Sequence, residues 1–299
     1  MHFPPDRLTA LRAFGYTEAE ARFLYLVAAH SGNSSNSLRR EAAHGMRSRP
    51  KSSFVWVMPV RGDICSGILS FSFVRDKSTP PSENDLGCGR ALSSIFLHRE
   101  FEVEVWSVDL WFSSSENLQR IRDARVEESV HSIHADARAL PFANDFFDAI
   151  ISIDSFPYYG TDDLYLGYVL RFLKPSGQIA IAGAGLMHEI AGPVPERLAS
   201  WWEPIMYCLH SSSWWRSHWE KMELVNVELA DAMPDGWKFW VEWQNVVAPE
   251  NLTEIRAIER DSGELMGYIR AVARRRPGAK LDEAIQSVAT TYAPQSLLR

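Results

Sequence analysis

The residues in this chain best suited to chemistry begin with Asp85-Leu86-Gly87-Cys88-Gly89, followed twenty residues later by Asp109 at the end of the apolar run 103–108. A turn with two glycines lets the backbone approach a ligand with no Cβ in the way, and an acidic side chain at the tip of the next strand can accept two hydrogen bonds from a ribose diol. Together they point to a nucleoside-bearing ligand. Further candidate positions follow in order: Asp136-Ala137 after the short run 130–134, then Asp154-Ser155-Phe156 after the strongly apolar run 147–153. The three cysteines, Cys65, Cys88 and Cys208, are far apart and lack CxxC or Cys/His spacing, so neither a disulfide framework nor a metal site is expected.

The elements that must position these residues alternate regularly. Helices are expected over 90–101, 116–125 and 164–173, and strands over 103–108, 130–134, 147–153 and 178–182. Lys174-Pro175-Ser176-Gly177 reads as the turn that stops the third helix. Two closing strands, 225–229 and 268–274, flank a helix over 251–259. Such alternation requires crossover connections, hence an α/β fold: a Rossmann-like, mostly parallel sheet with helices on both faces. One link is weak. A ligand-binding glycine turn normally follows a buried apolar strand, but residues 78–84 (Ser-Thr-Pro-Pro-Ser-Glu-Asn) read as a loop. The first strand is then either very short, starting at Asp85-Leu86, or supplied by the apolar run 68–74.

Around this body, 1–30 reads as a small helical segment, with Thr17 and Glu20 as a capping box. Residues 31–84 read as an irregular basic linker in which runs 54–60 and 68–74 suit a hairpin. Eight of the eleven tryptophans fall between Trp201 and Trp243, which suggests a helical cap over about 186–250. The body spans 85–275 and a tail 276–299. Residues 1–83 carry eleven Lys/Arg against seven Asp/Glu, so of the net charge of −7, −11 falls on the remainder, which argues against nucleic-acid binding there. With no charged-then-apolar leader and no long apolar run, no membrane association is expected and the cytoplasm is the expected compartment.

Residues 85–275 resemble class I S-adenosylmethionine-dependent methyltransferases of the small-molecule, methyltransferase-11-like type. The motifs are Asp85-Leu-Gly-Cys-Gly89, Val108-Asp109, His134-Ala-Asp136-Ala137 with Leu140-Pro141-Phe142, Phe147 to Asp154, and Leu173-Lys-Pro-Ser-Gly177. The resemblance implies S-adenosylmethionine as cofactor and a small-molecule methyl acceptor as partner. It would place Gly87 and Gly89 against the methionine moiety, Asp85 near its amino group, and Asp109 with Leu110 at the ribose. Asp136 and Ala137 would lie at the adenine, and Asp154, Ser155 and Phe156 between cofactor and acceptor. A dinucleotide reading fails because the third glycine it needs is replaced by Leu92. Methyl transfer needs a base only if the acceptor must lose a proton, and Tyr158, Tyr159, His188, Glu189 and His210 are the candidates for that role. A second reading is a methyltransferase-like ligand sensor or inactive relic, with the N-terminal segment, whose Gly15 to Arg22 phrase resembles the first helices of winged-helix domains over about twenty-five residues, binding nucleic acid. The sequence specifies neither the acceptor nor an oligomeric state.

Overall fold

The structure, a computed structural model, describes residues 80–281. The expected N-terminal helical segment, the apolar runs 54–60 and 68–74, and the tail beyond Leu281 lie outside the described residues.

Ser82–Leu86 forms strand β1, which corrects the expectation of a loop up to Asn84. Its side chains are poor strand formers, yet the segment pairs in parallel on both sides, with β2 (Glu104–Asp109) and with β4 (Phe147–Ile153). Between these lie α1 (Leu92–Phe101), α2 (Ser114–Asp123) and β3 (Val130–His134). Parallel pairing uses the backbone of each residue whatever its side chain, and two apolar neighbouring strands supply the frame. The first strand is also clipped at both ends. The Ser82 amide and hydroxyl donate to Asp148 Oδ2, each at 2.9 Å, and the Gly87 and Cys88 amides donate to the Val108 carbonyl at 2.8 and 3.0 Å.

After β4 come α3 (Pro157–Gly160), α4 (Tyr165–Val169), β5 (Leu173–Leu186), α5 (Glu196–Ala199), α6 (Ser212–Glu220), β6 (Val225–Ala232), α7 (Gly236–Val247), α8 (Leu252–Asp261) and β7 (Met266–Arg275). The seven strands run in the order β3-β2-β1-β4-β5-β7-β6, with β7 antiparallel to both neighbours. The expected helix 164–173 is cut to α4 and a 3-10 turn over Leu170–Phe172. Lys174 to Gly177 sits inside β5 as an irregularity where the register to β4 jumps from Phe147 to Ala149. Gly177 belongs there because a Cβ would come within 2.8 Å of the Asp148 carbonyl.

The tryptophan-rich segment is divided between the two faces of the sheet and includes an edge strand, rather than forming a cap apart from it. Trp215 and Trp219 of α6 are buried with Phe147, Ile181 and Ile269 on one face; Trp240 and Trp243 of α7 are buried with Val105, Ala182 and Tyr268 on the other. The fold is therefore built across these indoles, whose large apolar area closes the β5–β7–β6 half of the sheet. Among the described residues no helix is long and apolar enough to cross a membrane, and no group of three or more His, Cys, Asp or Glu is arranged to hold a metal.

Candidate functional site

The chain runs outward from β1 to β3 and then returns to β4 on the other side of β1. That reversal falls at the carboxyl ends of β1 and β4, the position at which sheets of this type bind ligands. Four of the motifs read from the sequence border it.

Gly87 and Gly89 both adopt positive φ, +77° and +56°. They differ in surroundings. A Cβ on Gly87 would lie 2.1 Å from the Ser155 hydroxyl, whereas a Cβ on Gly89 would meet nothing within 4 Å. The turn is thus pressed onto the β4 end at Gly87 and open at Gly89. The Ser155 hydroxyl donates to the Leu86 carbonyl at 2.9 Å and bonds Ser152 and Tyr159, at 2.7 and 2.9 Å. Tyr159 also reaches the Leu86 carbonyl, at 3.2 Å, and burial pushes its phenol pKa up. Tyr159 is therefore a brace beneath the turn and is poorly suited to act as a base.

Asp85 is fully buried. Its Oδ2 accepts from the Ser93 and Ser94 hydroxyls at 2.5 and 2.6 Å, and its Oδ1 has no partner among the described residues. Burial pushes the carboxyl up to about 6; the two serines pull it down and the nearby Asp109 charge adds to the rise. A buried carboxylate oxygen without a donor next to an open glycine suits a cationic amine.

Asp109 is held in place by the backbone. Its Oδ2 accepts from the Gly89 amide at 2.8 Å, and its Oδ1 from the Trp111 and Phe112 amides at 2.7 and 3.0 Å. The carboxylate is pre-oriented, and each oxygen keeps lone-pair capacity for a diol. Beside it the side chains of Leu110 and Trp111 stand exposed, at 49% and 58%. Asn117 of α2 went unnoticed in the sequence: its amide donates to the Gly89 carbonyl at 2.9 Å while Arg120 donates to its Oδ1, also at 2.9 Å. In sequence it is one polar residue among many on an amphipathic helix.

Asp136 is engaged by its own neighbour, since Arg138 donates to its Oδ1 from Nε at 3.0 Å and to its Oδ2 from Nη2 at 2.7 Å. That hydrogen bonding holds the carboxyl below its usual range. An adenine amine would share this acceptor with Arg138. The adjoining loop is fixed from α4: the Tyr165 hydroxyl donates to the Ala137 carbonyl at 3.0 Å, and the Leu140 amide donates to the Tyr168 hydroxyl at 2.6 Å.

Asp154 takes positive φ, +57°, at the β4 end, directly before Ser155. Phe156 departs from expectation. Its ring is buried against Tyr165, Trp215 and Trp219, so it belongs to the core below the site rather than to the floor between cofactor and acceptor. Of the base candidates, Tyr158 packs against the core and His188 is exposed, its Nδ1 3.2 Å from the Glu189 carbonyl. Glu189 and His210, twenty-one residues apart, come together: Oε2 lies 2.9 Å from Nδ1.

The strand order, the paired glycine turn and the acidic strand ends define the class I methyltransferase fold. Residues 84–177 match the family described as Methyltransferase domain. It is 31% identical over 116 residues to Methyltransferase GfsG of Streptomyces halstedii, covering 38% of this chain and 42% of that protein. It is 27% identical over 107 residues to the fatty-acid O-methyltransferase of Mycolicibacterium smegmatis, covering 36% and 38%. The chain thus spans about two fifths of the length of these curated relatives. Among solved structures it is similar to the Haemonchus contortus phosphoethanolamine N-methyltransferase 2 in complex with S-adenosyl-L-methionine, at TM-score 0.58 and 19% identity, covering 74% of this chain and 54% of that one. The fold also matches the [4+2]-cyclase SpnF at TM-score 0.54 and 16% identity, covering 72% and 78%. Fold alone therefore leaves the reaction to be argued from the site.

Proposed function

We propose that this protein transfers a methyl group from S-adenosylmethionine to a small-molecule acceptor. The observation that carries the reading is the glycine turn, open at Gly89 and closed at Gly87, with the Asp109 carboxylate already fixed by three amides beside it. Asp85 would face the amino group, Gly87 and Gly89 the methionine chain, and Asp109 with Leu110 the ribose. Asp136 and Ala137 would face the adenine, and Asp154 with Ser155 would border the reacting end. When bound, S-adenosylmethionine supplies an electrophilic methyl on a sulfonium. The residues of the chain orient the two reactants and exclude water from between them.

The small-molecule acceptor is supported by the printed substrates of similar proteins, a fatty acid and phosphoethanolamine among them, and by the acidic body, which repels a polyanionic partner. Calorimetry with S-adenosylhomocysteine tests the reading. Asp109→Ala removes the diol acceptor and frees three amides, so affinity is expected to fall at least about tenfold to a hundredfold, from a loss of about 1.5–3 kcal/mol per charged hydrogen bond. Melting measured in parallel separates this from unfolding. A well-folded wild type that does not bind S-adenosylhomocysteine would sink the proposal.

A further inference from the structure

We propose that His210, oriented by Glu189, is the group that takes the proton from the methyl acceptor, and that the acceptor is therefore a hydroxyl compound. This rests on the methyltransferase reading and specifies its chemistry.

Glu189 is fixed on three sides. Its Oε1 accepts from the Ser211 amide and the Ser211 hydroxyl, each at 2.7 Å, and its Oε2 faces His210 Nδ1 at 2.9 Å. Burial alone would raise this carboxyl, but the bonds from Ser211 and His210 outweigh it and hold it below its usual range, so it is ionised at neutral pH. An ionised partner on Nδ1 requires that nitrogen to carry the proton. The neutral ring then presents Nε2 as a bare acceptor. Nε2 has no hydrogen-bond partner among the described residues, and the side chain keeps 20% of its surface exposed. The plane of the ring is fixed as well: it stacks on Trp214 with centroids 3.7 Å apart and planes 7° from parallel.

The position suits the role. The His210 carbonyl accepts from the Leu186 amide at 3.1 Å, which places the dyad at the carboxyl end of β5. β5 is next to β4, whose end carries Asp154 and Ser155, and two strands from β1, whose end carries the glycine turn. Leu186 stands four residues beyond Ala182, the partner of Ile153 at the end of β4, so two strand spacings and that rise put the dyad's backbone about 16 Å from the glycine turn, a span to be filled by the reacting end of the donor, the acceptor and the His210 side chain. The other charged or titratable groups nearby lie farther out: His188 follows the Glu189 backbone, and His218 stacks on the far face of Trp214 at 4.4 Å, with Asp163 and Lys221 beyond it. Glu189 is the carboxylate bonded to the ring.

The step balances. The acceptor O–H bond breaks with its proton to Nε2, the O–CH3 bond forms, and the methyl–sulfur bond breaks with its electron pair left on sulfur. The imidazolium so formed is stabilised by Glu189. An alcohol or phenol needs this proton removal; a neutral amine does not need it for the attack itself.

Two measurements test the proposal. Nitrogen-15 NMR of the protein saturated with S-adenosylhomocysteine should show His210 protonated at Nδ1 and bare at Nε2, and in Glu189→Gln a share of the rings should carry the proton on Nε2 instead. Transfer from S-adenosylmethionine is then compared for 2-naphthol, 2-naphthylmethanol and 2-naphthylamine. We expect methylation of a hydroxyl probe, about a hundredfold loss in His210→Gln at pH 7 with S-adenosylhomocysteine affinity kept, and a deficit on 2-naphthol that shrinks to tenfold or less at pH 10, where that probe ionises unaided. The proposal is overturned by a proton on Nε2, by transfer to the amine in preference to the hydroxyls, by an unchanged pH profile in His210→Gln, or by no transfer to either hydroxyl probe from protein that binds S-adenosylhomocysteine. Protein that does not bind S-adenosylhomocysteine instead removes the underlying reading.

Discussion

Glu83→Val is expected to stabilise the protein markedly at neutral and alkaline pH, and much less at pH 4. Glu83 is the second residue of β1, at 1% exposure, and neither of its carboxylate oxygens has a partner among the described residues. Burial, with smaller contributions from Asp85 and Asp148, pushes its pKa up to about 8. The folded state therefore holds this proton more tightly than the unfolded chain, whose glutamate titrates near 4.5. Stability is fully present below about pH 4.5, declines as pH rises, and the loss levels off above about pH 8, reaching about 3 kcal/mol at pH 7 by linkage. Valine removes the ionisation and suits a strand paired on both sides. The expected gain in melting temperature at pH 7 is about 6–12 °C for a domain of this size. Glu83→Gln should give only part of it, since the amide remains buried and unbonded. Melting curves for the three proteins between pH 4.5 and 8.5 check this; parallel curves for wild type and Glu83→Val would show that the carboxyl is hydrated in the folded protein.

The same strand shows what the sequence reveals and what it does not. β2 and β4 were legible because apolar runs end in acidic residues, and their order fixed the parallel sheet. β1 was not, because Ser-Glu-Asn-Asp carries no strand signal and its place is set by two neighbours distant in sequence. The site divides likewise. Gly87, Gly89 and Asp109 were readable, as their types are dictated by backbone conformation or by a strand end. Asn117 was hidden because a buried amide on a helix looks like a surface residue until its partner is known, and the joining of Glu189 to His210 depends on a segment without periodicity. Phe156 misled for the converse reason. Its position in the motif suggested a place between cofactor and acceptor, but α6 brings Trp215 and Trp219 beneath it and draws the ring into the core.

Gly87→Ala and Gly89→Ala, although chemically identical changes two residues apart, are expected to fail in different ways. Both glycines are left-handed, so alanine at either costs about 1–2 kcal/mol of backbone strain. At Gly87 the new methyl would also fall 2.1 Å from the Ser155 hydroxyl and 2.5 Å from its Cβ. Ser155 cannot withdraw without breaking its bonds to Leu86, Ser152 and Tyr159, so overpacking adds about 1–3 kcal/mol. Gly87→Ala should therefore lower the melting temperature by about 6–15 °C and weaken S-adenosylhomocysteine binding as a consequence of the displaced turn. At Gly89 the methyl enters open space, so stability should fall only by the backbone strain. If that space receives the methionine end of the donor, affinity should fall about tenfold or more, because the methyl occupies volume the ligand needs. The ratio of affinity loss to stability loss is thus larger for Gly89→Ala than for Gly87→Ala. Calorimetry and melting of both variants measure it, and a Gly89→Ala protein that binds S-adenosylhomocysteine as tightly as wild type would move the donor away from this turn.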